Sequence, residues 1–87
     1  MPYSYAQEKP TLFLEEQQEK FLKARDWVRD ALNTSGAFTM GAFMTKGGIG
    51  GDSWLMMAMI DRLVELGEIR ELNFGDCAGQ SRTFVRG

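Results

Sequence analysis

The sequence predicts a single α+β domain made of three helices, a short strand and a C-terminal β-hairpin. Three observations support this prediction. A chain of 87 residues suffices for one modest core. Apolar residues recur at helical spacing in segments before Gly67. After Gly67, two β-leaning runs are joined by a glycine-containing loop. We therefore divide the chain into an N-terminal arm over residues 1–10 and a folded domain over residues 11–87.

The first helix is predicted to follow the arm. The opening segment MPYSYAQEKP is polar and ends in Pro10, which disfavours a helical conformation at Lys9 and indicates an arm rather than a core element. Thr11 is the expected N-cap of a long amphipathic helix that ends at NTSG. Its apolar positions follow the helical period and comprise Leu14, Phe21, Ala24, Val28, Ala31 and Leu32.

A short strand and two more helices are predicted next. GAFT suits a brief strand, and Thr39 can cap a second helix that runs to Gly47, where we expect a left-handed conformation. The third helix spans DSWLMMAMIDRLVELG, with Asp52 or Ser53 as its cap and Gly67 at its end. Its predicted buried stripe consists of Met56, Met59, Ile60 and Leu63.

The hairpin is predicted from EIRELNF and SRTFVRG, with GDCAGQ as the loop between the two strands. Because Phe84 and Val85 are adjacent, they point to opposite faces of the last strand. The sequence alone does not decide which of the two faces the core.

The glycine turn TKGGIGGDSW resembles, up to Gly50, the phosphate loop of the chromosome-partitioning ATPases. Such a loop needs a lysine after its last glycine, followed by a serine or threonine, to supply charge and a magnesium ligand. Gly51 and Asp52 occupy those positions here, and an aspartate would repel phosphate. We therefore predict no nucleotide and interpret the segment as a turn between two helices.

The composition excludes several functions. The chain has a formal net charge of −2, no histidine and one cysteine, so we expect no disulfide, no zinc or haem site, no cofactor and no enzyme active site. Cys77 follows an aspartate, which does not activate a thiol, and is interpreted as a passive loop residue. With neither a spanning apolar run nor a secretion signal, the expected location is cytoplasmic.

The order helix, strand, helix, turn, helix and hairpin, together with IDRLVELGEIREL and RTFVRG, resembles the winged helix-turn-helix superfamily over about residues 11–87. The resemblance implies that Leu63 and Ile69 pack against the first helix. It also implies duplex DNA binding, with the third helix in the major groove, the second helix against phosphate and the hairpin, or wing, on the backbone or minor groove. The GGIGGD link is longer than is usual in that family.

The resemblance implies one set of DNA-binding residues. The groove-facing positions are Ser53, Trp54, Met57 and Ala58; Thr39 and Lys46 brace against phosphate; Arg70, Arg82 and Arg86 serve the wing. So few cations give weak binding to a single copy. A homodimer formed through the first helix and the arm would double their number. Regulation by DNA binding is the leading functional hypothesis.

A rival hypothesis is a winged-helix protein-interaction module, such as an adaptor, inhibitor or assembly subunit. The predicted reading face offers one serine among apolar side chains, whereas bases are usually read by polar groups. Trp54, Leu55 and Met57 would then form an exposed apolar patch for a protein partner. Two structural interpretations also stay open. Trp54 and Met57 can pack under the arm or against the first helix, and the wing arginines can pair with Glu68 or Glu71.

Overall fold

The computed structural model describes residues 3–50, 52–72 and 82–87. These residues form an α+β fold of four helices and one three-stranded antiparallel sheet, one helix more than the sequence predicted. In chain order, the elements are α1 (Tyr5–Leu12), α2 (Glu15–Ser35), β1 (Ala37–Thr39), α3 (Met40–Lys46), α4 (Ser53–Glu65), β2 (Ile69–Leu72) and β3 (Thr83–Arg86).

The N-terminal segment is a helix packed on the domain, so the prediction of a non-helical arm was wrong. α1 contains Pro10, and Leu12 at its end is only 5% exposed. Burial of Leu12 therefore outweighs the local bias of the proline. Thr11 lies inside α1 and is not a cap; α2 begins after Leu14, whose side chain makes no capping bond.

The long helix α2 supplies one wall of the core. Ala24, Val28 and Leu32 are buried, as predicted. Leu14, which we expected on the same stripe, is instead exposed because the chain turns before α2 begins. At its C-terminal end, Gly36 has a φ of 78° and its N–H donates to the carbonyl of Leu32, a conformation that favours glycine.

Both caps around the glycine turn come from side chains. Thr39 caps α3 as predicted, because its Oγ1 accepts from the Ala42 N–H at 3.1 Å. Asp52 caps α4, with its Oδ1 accepting from the Trp54 N–H at 2.9 Å. The left-handed conformation expected at Gly47 is wrong, since Gly47 has a φ of −70°. The chain instead turns further on, where positive φ values occur at Gly48 and Gly50.

Helix α4 is the most buried helix of the domain. All four residues of its predicted core stripe are buried, and so are Leu55 and Ala58, which lie off that stripe. Gly67 follows the helix with a φ of 80°, as its predicted role at the helix end requires. Leu63 and Ile69 are both buried and line one cleft with residues of α2, which agrees with the packing that the resemblance implied.

The sheet covers the other side of the core. β3 lies between β1 and β2 and is antiparallel to both. Phe84 pairs with Phe38 across the strands, their rings stack at 5.3 Å, and both are buried. Phe84 is therefore the inward-facing residue and Val85 lies on the outer face. The two strands of the predicted hairpin are confirmed, whereas its GDCAGQ loop with Cys77, like Gly51, lies outside the described residues.

Candidate interaction surfaces

The side of α4 that points away from the core is covered by the chain's own N-terminal segment. We call Trp54, Ala58, Asp61 and Glu65 the outward stripe, because they follow one another at three- or four-residue steps opposite the core stripe. The Tyr3 ring lies edge-on to the Trp54 ring, with centroids 6.5 Å apart, and the Tyr3 hydroxyl donates to the Asp61 carboxylate. The N-terminal residues therefore contact Trp54, one of the residues that were predicted to read DNA.

Polar contacts hold α1 at the end of this stripe. The Tyr5 hydroxyl donates to Glu65 Oε1 at 3.2 Å, and Lys9 Nζ donates to Glu65 Oε2 at 2.9 Å. Arg62 also pairs with Glu65. The hydrogen bond from Lys9, followed by that from Arg62, lowers the pKa of Glu65. Burial, followed by the hydrogen bond to Asp61, raises the pKa of Tyr3.

Most of the predicted groove-facing residues are not available in this arrangement. Ala58 is 0% exposed, so the prediction that it faces a DNA groove was wrong. Trp54 and Met57 are partly buried and pack against the core cluster or the N-terminal segment. Ser53, at the start of α4, is exposed. The interpretation of Trp54 as packed under the N-terminal segment agrees with these contacts.

Arg82, predicted to serve the wing, is part of a cluster of ion pairs. Its Nη2 lies 2.7 Å from Asp61 Oδ1 and 2.9 Å from Glu71 Oε1, and its side chain is 17% exposed. The hydrogen bonds that Arg82 donates to Glu71 and Asp61 raise the pKa of Arg82 against the opposing effect of burial. Two carboxylates thus surround this arginine, which agrees with the structural pairing considered from the sequence. A phosphate would have to compete with both of them.

The remaining predicted DNA contacts lie apart from one another. The Thr39 hydroxyl serves the cap of α3, and Arg86 Nη2 donates to Asn33 Oδ1 at 2.7 Å. Lys46 ends α3 and is exposed, while Arg70 is exposed on β2. Within the described ranges, neither Lys46 nor Arg70 has a carboxylate partner.

The exposed apolar surface lies elsewhere than predicted. Leu55 is buried, so Trp54, Leu55 and Met57 do not form the exposed patch of the rival hypothesis. Four large apolar side chains in the described part of the chain are instead about half exposed, at 54%, 49%, 54% and 48% respectively: Phe13, Leu14, Leu22 and Leu66.

Three of these four side chains surround one cleft, which we call the apolar corner: Phe13, Leu22 and Leu66. The cleft has a volume of about 230 Å³, and Leu12 and Phe21 also line it. The corner brings together the turn before α2, the first half of α2 and the end of α4. The apolar corner was missed from the sequence because Phe13 and Leu22 do not belong to the predicted apolar stripe of the first helix. The sequence showed them only as apolar residues with no predicted packing partner.

Acidic side chains flank the apolar corner. Glu15, Glu16 and Glu19 are exposed in the first turns of α2. Glu15 and Glu19 share one helix face with Leu22, because they precede it by seven and three residues. Arg62 also lines the corner, with its guanidinium 5.2 Å from the centroid of the Phe13 ring, and it is already paired with Glu65. The surroundings of the corner at the start of α2 are therefore negative, whereas Arg25, three residues after Leu22, lies on the same helix face towards the middle of α2.

No cluster of metal-binding side chains occurs within residues 3–50, 52–72 and 82–87, and none of the helices described there is long and apolar enough to cross a membrane. Comparison with known proteins adds no assignment: no protein-family model, curated protein or solved structure matches the chain.

Proposed function

We propose that this chain is a protein-interaction module that binds a cationic amphipathic segment at the apolar corner. The observation that carries the proposal is the convergence of Phe13, Leu22 and Leu66, all about half exposed, around one cleft. Single exposed apolar residues are ordinary, whereas a contiguous group mostly marks a contact surface. The protein-interaction hypothesis is thus kept, with these three residues in place of the patch predicted around Trp54.

The size of the hydrophobic contribution sets what else the interaction needs. Fully burying a leucine or phenylalanine contributes roughly 2 kcal/mol, so covering three half-exposed side chains contributes roughly 3 kcal/mol. Association costs at least about 4 kcal/mol in lost translational and rotational freedom. Apolar contact at the corner alone is therefore insufficient, and the flanking charges have to contribute.

The flanking charges determine the chemistry of the partner. Glu15, Glu16 and Glu19 attract lysine or arginine residues placed beside an apolar anchor. A second copy of this chain fits poorly, because a two-fold contact at the corner would bring both acidic groups together. We therefore assign the corner to a different chain, with apolar residues on one helix face and basic residues beside them.

The resemblance to the winged-helix superfamily also favours a protein partner over DNA once the contacts of α4 are considered. Counted from α2, the elements follow the winged-helix order that the sequence suggested. In such a fold, α4 would be the reading helix, yet its outward stripe is in contact with α1 and with Tyr3. A fold does not determine function, so the exposed surface carries the argument.

The test is a titration with a synthetic helical peptide that carries leucines at positions i, i+3 and i+7 and lysines beside them. We expect saturable binding by fluorescence anisotropy, which weakens as salt increases. Leu22→Ser should weaken it about fivefold, because it removes about a third of the apolar contribution, or about 1 kcal/mol. Met57→Ser is the matched control, since Met57 lies on the apolar face predicted from the sequence, and should leave the affinity unchanged.

One further peptide and one double variant complete the test. Replacing the peptide lysines by glutamates should abolish binding, and Glu15→Gln with Glu19→Gln should weaken it several-fold. Equal loss in Leu22→Ser and Met57→Ser would contradict the assignment to the corner. Self-association that Leu22→Ser removes would show that the occupant is a second copy, against the proposal.

Duplex DNA binding is a second candidate, which one observation favours: Lys46 and Arg70 are exposed and have no carboxylate partner among the described residues. If DNA is the ligand, Lys46→Ala should weaken a mobility shift with random duplex at low salt and reduce its salt dependence. Lys23→Ala, at an exposed position on α2, is the control. A shift that both variants reduce equally would indicate nonspecific attraction.

A further inference from the structure

A second cleft, separate from the apolar corner, lies between the second half of α2 and the ends of β2 and β3. Its volume is about 440 Å³, which is in the range of small-molecule sites. The floor consists of buried apolar side chains: Val28, Leu32, Leu63 and Ile69. The rim is polar and consists of Arg25, Arg29, Asn33, Glu68 and Arg86. The cleft therefore has an apolar base beneath a ring of charged groups.

The three rim arginines keep most of their hydrogen-bonding capacity. Arg25 Nε and Arg29 Nη2 both lie 3.1 Å from the same oxygen of Glu68, Oε1. Arg86 Nη2 donates to the neutral amide oxygen of Asn33 at 2.7 Å. A guanidinium has five N–H donors, so each of these arginines has donors left for a ligand.

The rim is also positively charged, although the chain as a whole is acidic. It carries three arginines and one glutamate, whereas the whole chain has ten Lys and Arg residues against twelve Asp and Glu. Glu68 is shared by Arg25 and Arg29, so three positive charges and one negative charge leave the rim at +2, and Arg86 has no carboxylate partner within the described residues. The Arg29 side chain is 53% exposed, so a ligand can reach it from solvent.

We propose that this cleft binds a small oxyanion that carries an apolar body, such as an aromatic or aliphatic carboxylate or phosphate ester. Planar guanidinium groups bind carboxylate and phosphate oxygens through paired hydrogen bonds. The apolar body lies against Leu32, which at 8% is the most exposed residue of the floor, while Arg29 and Arg86 hold the anion. Glu68 acts as an internal competitor, because its carboxylate already occupies donors of Arg25 and Arg29.

The test is a titration followed by backbone amide NMR shifts, with four probes: benzoate, phenyl phosphate, benzyl alcohol and inorganic phosphate. The first two should bind saturably, with shifts centred on residues that line the cleft. Benzyl alcohol lacks the anion and inorganic phosphate lacks the apolar body, so both should bind at least about tenfold more weakly. The comparison of benzoate with phenyl phosphate identifies the preferred head group.

Variants separate a built site from general electrostatic attraction. Arg29→Gln and Arg86→Gln should each weaken binding about tenfold, since hydrogen bonds to charged groups are of that strength. Arg70→Gln, an exposed arginine on β2 that does not line the cleft, should have no effect. Glu68→Gln should tighten binding about threefold or more, because it removes the competing charge.

The same measurements can overturn the proposal. If Arg70→Gln weakened binding as much as Arg29→Gln, the effect would be one of net charge alone. If Glu68→Gln weakened binding, Glu68 would not be a competitor of the ligand. If inorganic phosphate bound as tightly as phenyl phosphate, the apolar floor would contribute nothing to the affinity. If neither benzoate nor phenyl phosphate bound saturably at low salt, the proposed site would be wrong.

Discussion

Helix α1 is predicted to be an integral part of the cooperative fold, and Leu12→Ala tests this directly. The Leu12 side chain is 5% exposed and belongs to the core cluster. Replacing a buried leucine by alanine costs about 2–5 kcal/mol of unfolding free energy. Leu12 also borders the 230 Å³ cleft of the apolar corner, so neighbouring side chains can move into the space it leaves. We therefore expect a loss near the lower limit, about 2–3 kcal/mol.

The assay is urea unfolding followed by far-ultraviolet circular dichroism. With a slope of roughly 1 kcal/mol per molar urea for a small domain, the midpoint should fall by about 2 M. Leu14→Ala is a matched control two residues away, because Leu14 is 49% exposed and should change stability by less than about 0.5 kcal/mol. If Leu12→Ala matches Leu14→Ala, α1 is a detachable arm and the reasoning fails.

Three further predictions concern single elements. The pKa values of Tyr3 and Tyr5 are both raised by burial. Unfolded tyrosines ionise near pH 10, so the free energy of unfolding should fall above about pH 10. The tyrosinate absorbance at 295 nm should rise at a higher pH in the folded protein than in the unfolded chain, and equal titration of the two would contradict this. Thr39→Ala should lower the free energy of unfolding in urea by about 1 kcal/mol, because it removes the side-chain cap of α3. An unchanged free energy would show that α3 does not need this cap. Gly67→Ala should cost about 1–2 kcal/mol in thermal unfolding, because φ is 80° there; an unchanged midpoint would argue against that conformation.

Local signals predicted much of the fold. Helical periodicity identified four of the six buried residues of α4, and residue preferences located the Thr39 cap and the turn at Gly67. These features depend on a few neighbouring positions and on rules that hold for most sequences. The side of β3 that faces inward was not predictable, since it depends on the pairing of Phe84 with Phe38, 46 positions away.

The errors share a physical cause, which is that contacts distant in sequence override local preference. Pro10 disfavours a helix locally, but the packing of Leu12 and the bonds of Tyr3 to α4 stabilise α1. Arg82 was predicted either to serve the wing or to pair with Glu68 or Glu71, and the structure adds a second partner, Asp61 of α4. Neither arrangement has a signature in the local sequence.

The candidate surfaces were still less predictable than the fold. Periodicity shows which apolar residues can share a core, and it does not show whether the others are covered. Phe13 and Leu22 remain exposed because no described element packs over them, whereas Ala58 is buried in the core cluster. The exposed fraction of a side chain is a property of the whole fold, so the surface predicted around Trp54 had to be corrected.

The central claim is that the chain's own N-terminal segment covers the outward stripe of α4. Proton NMR tests it most directly, through nuclear Overhauser effects between the Tyr3 ring and the Trp54 indole, whose centroids lie 6.5 Å apart. The account predicts clear cross-peaks between the two rings in the unmodified protein. Their absence, with Trp54 quenched by acrylamide as freely as in the unfolded chain, would contradict it and return α4 to the role of a DNA-reading helix.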